Sequence, residues 1–184
     1  MKNILLLLLS FSALFASAQV KAPETDFILQ NKVVFWQHTY DIAEKSSSEI
    51  SSMVKERMAS VTADTVVATN QAQFTLPVKR DKVNFKKYGG TSFNTIAFAQ
   101  LYMDYSVVID VSDNKYRVTI RQIKLDNRDA TEKKAGDLST FVCNTSNISF
   151  RTDEGTRKGM QYMHKHFLEK FDITAAIPVN TNSK

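Results

Sequence analysis

The side chains best equipped for chemistry in this sequence are three histidines, His38, His164 and His166, and one cysteine, Cys143. His164 and His166 stand two positions apart. On a helix that spacing turns the rings about 200° from each other, whereas two ligands of one metal ion need i, i+3 or i+4. The pair is therefore expected as two separate rings on a helix surface. Cys143 would need a base beside it to act as a nucleophile, and Thr145 to Ser149 offers none locally. It is read as a small apolar anchor, and as a lone cysteine it excludes an internal disulfide. Asp104 and Asp110 fall on the same side of one strand, but six residues of strand separate carboxylates by about 20 Å, too far for an acid–base pair. Gly89-Gly90 is an isolated pair suited to a turn; no glycine-rich phosphate loop and no Gly-x-Ser-x-Gly elbow occurs. No catalytic residue, metal site or cofactor is expected, and the chain is not expected to be an enzyme.

Two further groupings could bind rather than react. Lys79, Arg80, Lys82, Lys86 and Lys87 surround Phe85 and Tyr88, and Arg117, Arg121 and Lys124 could extend that basic surface. Lysines hold phosphates and rings stack on bases. The net charge of +5 is modest, however, and such a run equally makes a solvated edge that discourages strand-to-strand aggregation. Nucleic acid is not the expected partner. Trp36, Tyr102, Met103, Tyr105, Met160, Met163 and Phe167 either form core or line a pocket for a hydrophobic molecule.

These side chains need elements to position them. Lys2, the apolar run Ile4 to Leu9 with Phe11, Leu14 and Phe15, and Ala16-Ser17-Ala18 have the layout of a cleavable signal peptide over residues 1–18. The run is shorter than the roughly 20 residues of a membrane span, so no transmembrane anchor is expected. Residues 19–32, with Pro23 and no sustained period, read as a connecting arm. A single domain is expected over residues 33–172. It opens with a strand at Val33 to Tyr40, whose apolar first half suggests burial on both faces. Ser46 and Glu49 make a capping box for a helix with Ile50, Met53, Val54 and Met58 on one stripe and Lys55, Glu56 and Arg57 elsewhere. Asp64 to Thr69 and Gln71 to Val78 read as a hairpin about Asn70. Leu101 to Val111 alternates strictly, Ser112-Asp113-Asn114 turns, and Tyr116, Val118 and Ile120 continue the alternation, which makes an antiparallel pair. Asn127 to Phe150 is polar and aperiodic, with Leu138, Phe141, Val142 and Ile148 laying it back over the domain. Asp153 caps a last helix with Met160, Met163, Phe167, Leu168 and Phe171 on one face. Residues 173–184 read as a flexible tail.

The order strand, helix, four strands, helix gives an α+β two-layer domain, an antiparallel sheet with both helices on one face. Trp36 to Tyr40, the Ser/Glu-rich helix after it, and above all Met103 to Val111 running through Asp113-Asn114 into Lys115-Tyr116-Arg117-Val118-Thr119-Ile120 resemble a family of exported Bacteroidota proteins, a domain of unknown function with a TATA-binding-protein-like fold. The resemblance implies the same element order and brings no activity or catalytic residues. The long connection over residues 127–150 departs from a compact version of that fold. The expected function is a non-enzymatic, periplasmic or extracellular interaction module that meets an envelope protein or glycan through the sheet face around Tyr102, Asp104, Arg117, Thr119 and Arg121. The alternative is a small carrier that holds a hydrophobic molecule between sheet and helices, in a void lined by Tyr105, Met163 and Phe167.

Overall fold

The strictly alternating segments pair as the central hairpin of an antiparallel sheet. In the computed structural model, which describes residues 19–61, 67–70, 72–126 and 136–175, strand β6 (Tyr102–Ser112) pairs along its length with β7 (Lys115–Asp126). Around them lie β1 (Val20–Lys21), β2 (Phe27–Gln30), β3 (Val33–Asp41), β4 (Val67–Asn70), β5 (Gln73–Lys82) and β8 (Gly136–Asp137). The sheet order is β1-β2-β3-β7-β6-β5-β4, with β8 added to β7. Helices α1 (Ser47–Val61), α2 (Leu138–Val142) and α3 (Glu154–Phe171) complete the α+β architecture, with two 3-10 turns at Phe85–Tyr88 and Ala97–Gln100. The signal-peptide reading of residues 1–18, the hairpin start at 64–66, the first part of the polar connection (127–135) and the tail from 176 lie outside the described residues.

Alternation decides the faces. Met103, Tyr105, Val107, Ile109 and Val111 of β6 are buried while the residues between them are partly exposed. Trp36, Phe74, Tyr116, Val118 and Ile120 join them on the inner face. Both long helices pack there: Ile50, Val54 and Met58 of α1, and Met160, Met163, Phe167 and Phe171 of α3, are all buried. Tyrosine hydroxyls fasten the layers, Tyr40 donating to Leu168 O at 2.9 Å and Tyr116 to Phe171 O at 2.8 Å. The capping box forms as expected, since Ser46 N donates to Glu49 Oε2 at 2.9 Å and Glu49 N to Ser46 Oγ at 3.4 Å. The β6–β7 turn reinforces it from a distance: Asn114 takes φ 62°, a left-handed conformation that asparagine tolerates, and Asp113 Oδ1 accepts from Ser47 N at 2.7 Å.

Two bulges flank Tyr105. Between Val78 and Asp81 strand β5 carries one residue more than β6, and Arg80 sits at φ 58°. Between Arg121 and Lys124 strand β7 does the same, with Gln122 at φ 55°. Each extra residue resets the alternation. Ile123 and Leu125 thereby stay in the core, and Asp81 turns inward although Lys79 and Arg80 remain outside.

Several expectations are corrected. Residues 19–32 are not a connecting arm: β2 pairs with β3 and places Phe27 and Leu29 in the core, and β1 pairs with β2. Burial of β3 is one-sided, since Val33 is 54% exposed and Phe35 only half-buried. Arg57, placed off the apolar stripe by its spacing, is nonetheless buried and donates to Glu169 O at 3.3 Å near the C-terminal end of α3, where a cation suits the helix dipole. The described part of the 127–150 connection folds into β8, α2 and a Cys143–Phe150 bridge, with Leu138 and Val142 buried but Ile148 exposed. The tail is packed at its start, where Ile173 is buried and its N–H donates to Tyr116 Oη at 3.1 Å.

Candidate functional site

The sequence places an interaction surface on the outer face of the sheet; all five of its residues lie on that face and four of them are at least partly exposed. Arg117 and Arg121 on β7 are exposed, and Tyr102 and Asp104 on β6 are partly exposed. Thr119 points the same way but is 2% exposed, so it cannot itself meet a partner. Gln37 on β3 reaches across it, donating from Nε2 to Thr119 Oγ1 at 3.0 Å. Neighbours already organise the others. Arg117 pairs with Asp110 at 3.2 Å, while Asp110 also accepts from Gln73 at 2.7 Å. Asp104 accepts from the bulge amide of Arg80 at 2.8 Å, and Lys82 Nζ lies 4.5 Å from the centre of the Tyr102 ring. The bulges leave a groove of about 530 Å³ on this face, lined by Lys79, Asp104, Ser106, Gln122 and Lys124 and bounded by Asp137 at the start of α2. A smaller hollow of about 290 Å³ lies by Asp110 and Arg117. A fixed pattern of both charge signs around a groove is equipped for recognition.

The histidines are not a surface pair. Each side chain is only 16% exposed, and they diverge from α3 to two separate aspartates. His164 Nδ1 accepts from Trp36 Nε1 at 3.0 Å and lies 3.9 Å from Asp26 Oδ2. Accepting there fixes His164 as the neutral Nε2–H tautomer, in keeping with a pKa that burial lowers below its usual 6.5. Asp26 also bonds His38 Nδ1 at 2.6 Å and Lys21 at 2.7 Å; burial alone would raise its pKa, but those partners hold it below the usual carboxylate range. A hollow of about 390 Å³ borders Asp26 and His164.

On the other flank, Asp81 accepts from Tyr105 Oη and stands 3.0 Å from both His166 Nε2 and Lys170 Nζ. Burial again pushes its pKa up, yet His166, Lys170 and Tyr105 together hold it far below its usual 3.8. Tyr105 is raised well above 10 by burial and by the carboxylate it serves. Both clusters escaped the sequence reading. Their members come from distant segments, and only the i, i+2 divergence of His164 and His166 hinted at two sites.

What these groups can do is bounded by access. Asp81 is enclosed by its own partners, which suits a pin between α3 and the sheet rather than a proton donor. Cys143 is buried, and burial pushes its thiol up to about 11, away from the thiolate a nucleophile needs. Among the described residues no three His, Cys, Asp or Glu side chains are grouped to hold a metal ion. Among the described residues the place where a void would lie is packed: the Phe167 ring lies 5.4 Å from Tyr105, 5.6 Å from Trp36 and 6.1 Å from Phe27, and Met163 is wholly buried. No helix among the described residues is long and apolar enough to cross a membrane.

Comparison with known proteins places this arrangement. No protein-family model and no curated protein matches the chain. Two crystal structures do. One is a TBP-like protein from Parabacteroides distasonis, with a TM-score of 0.56 and 15% identity over 78% of this chain and 94% of that one. The other is a DUF4468 family protein from Bacteroides ovatus, with a TM-score of 0.53 and 12% identity over 90% of this chain and 94% of that one. At such identities the likeness speaks for the fold, and the chain has the TBP-like α+β fold of these Bacteroidota proteins of unknown function.

Proposed function

We propose that the protein is a non-enzymatic binding module of the cell envelope, exported by residues 1–18, that meets a partner through the outer face of its sheet around Tyr102, Asp104, Arg117 and Arg121. The observation that carries this reading is the contrast between the two faces of one sheet. The inner face is closed by α1 and α3 over a filled core, while the outward residues of β6 are partly exposed and Arg117 and Arg121 stand in solvent. Function lives in sites rather than folds, so the TBP-like architecture is no reason to invoke DNA. A protein partner is favoured over a glycan because Lys82 already covers the Tyr102 ring, leaving charges and backbone rather than a bare stacking platform.

The test is capture from an envelope extract by the native chain and by Tyr102→Ala with Arg117→Ala, each checked for an unchanged circular dichroism spectrum. A partner held by the native chain and lost by the variant is expected; identical capture by both would refute the assignment of this face. Export predicts that the protein recovered outside the cytoplasm has an intact mass beginning at Gln19, and a mass that retains Met1 would overturn it.

A further inference from the structure

An apolar hollow of about 390 Å³ opens on the helix side, between β1, the turn after α2 and the first turns of α3. Its floor is buried and apolar: Ala22 and Met160 are each 3% exposed and Phe150 is 8% exposed. Three cations line it as well, Lys21, Arg151 and Arg157, all exposed, and no acidic side chain does. Arg151 gives one N–H to Phe141 O at 3.3 Å, and Lys21 meets Asp26 at 2.7 Å on its other side.

The combination is selective. Water in an apolar hollow finds few hydrogen-bond partners, so an alkyl chain displaces it favourably. An anionic head emerging at the rim would find a ready-made ring of cations, and a guanidinium fork matches a carboxylate with two parallel N–H bonds. The volume lies near the lower end of the roughly 300–1,000 Å³ typical of small-molecule sites, which suits one short chain and not a diacyl lipid.

We propose that this hollow binds a single-chain amphiphile with a carboxylate head, the chain against Ala22, Phe150 and Met160 and the head at Arg151 and Arg157. The site is separate from the outer sheet face, and neither reading depends on the other.

Isothermal titration with decanoate tests it on the chain from Gln19, which carries every described element. Saturable one-to-one binding is expected, at least tenfold tighter than for decyltrimethylammonium, with octanoate weaker than decanoate by roughly fifteenfold, since each of the two buried methylenes is worth about fourfold. Arg151 and Arg157 are exposed, so Arg151→Ala with Arg157→Ala should keep the fold and abolish the preference for the anionic head. Methyl resonances of Ala22 and Met160 should shift on titration while that of the core residue Met163 stays in place. Absence of saturable heat, equal affinity for the two head groups, shifts confined to other methyls, or binding only to phosphatidylglycerol vesicles would each overturn the proposal.

Discussion

His164 and His166 sit two residues apart on one helix, each beside an aspartate, yet the two clusters they join are physically unlike. Asp81, 9% exposed, is met by a histidine, a lysine and a tyrosine that are themselves nearly buried. Asp26, 17% exposed, borders a hollow and shares its charge with Lys21, a side chain 63% exposed. A buried carboxylate that loses its partners, or partners that lose their carboxylate, leave charges that water cannot reach, whereas a half-open cluster is relieved by solvent. The first arrangement therefore fixes α3 on the sheet, and the second leaves room for protonation to change something.

The largest expected effect tests that difference directly. Asp81→Ala strands Lys170 and His166 in a poorly hydrated space and should cost about 3–5 kcal/mol of stability in urea unfolding. The same change at Asp26 should cost only about 1–2 kcal/mol, because the hydrogen bonds to a charged group that it removes are partly replaced by water. Equal losses at the two sites would erase the distinction between a pin and a half-open cluster.

Much of the frame was legible in the sequence because it rests on local periods. Met103 to Val111 and Tyr116 to Ile120 alternate at period two, Met160, Met163, Phe167 and Phe171 recur at helical spacing, and Ser46 with Glu49 announces a helix start; all three readings match the observed elements. The failures have physical causes. Strand β2 is four residues long, too short for Phe27 and Leu29 to establish a period beside Pro23. The bulges rest on positive φ at Arg80 and Gln122, residue types that give no sign of that conformation, so nothing in the sequence announces that Asp81 turns inward. Thr119 alternates correctly but is covered by a side chain from β3, a contact made across the sheet. The bond from Trp36 to His164 spans 128 positions, and no local pattern encodes it.

The subtler expected effect concerns pH. His164 accepts a hydrogen bond at Nδ1 in its neutral form, so protonation must break the bond from Trp36. Its pKa is lowered in the fold, first by burial, with Asp26 opposing that change and His38, Lys21 and Lys165 adding to it. The unfolded chain, with an ordinary histidine near 6.5, therefore takes up the proton first, and stability that is complete above 6.5 falls as the pH drops toward the lowered value. Asp26 and Asp81 act lower down. Their lowered values contribute stability that is present above 3.8 and is lost as the pH falls below it. Stability measured by unfolding from pH 8 to pH 3 should thus decline in two separated steps. His164→Gln offers Trp36 an amide oxygen that does not titrate, and it should flatten the upper step while leaving the lower one. An upper step that persists in His164→Gln would move its origin away from the His164–Trp36 bond, and the contrast between the two histidines of α3 would then rest on burial alone.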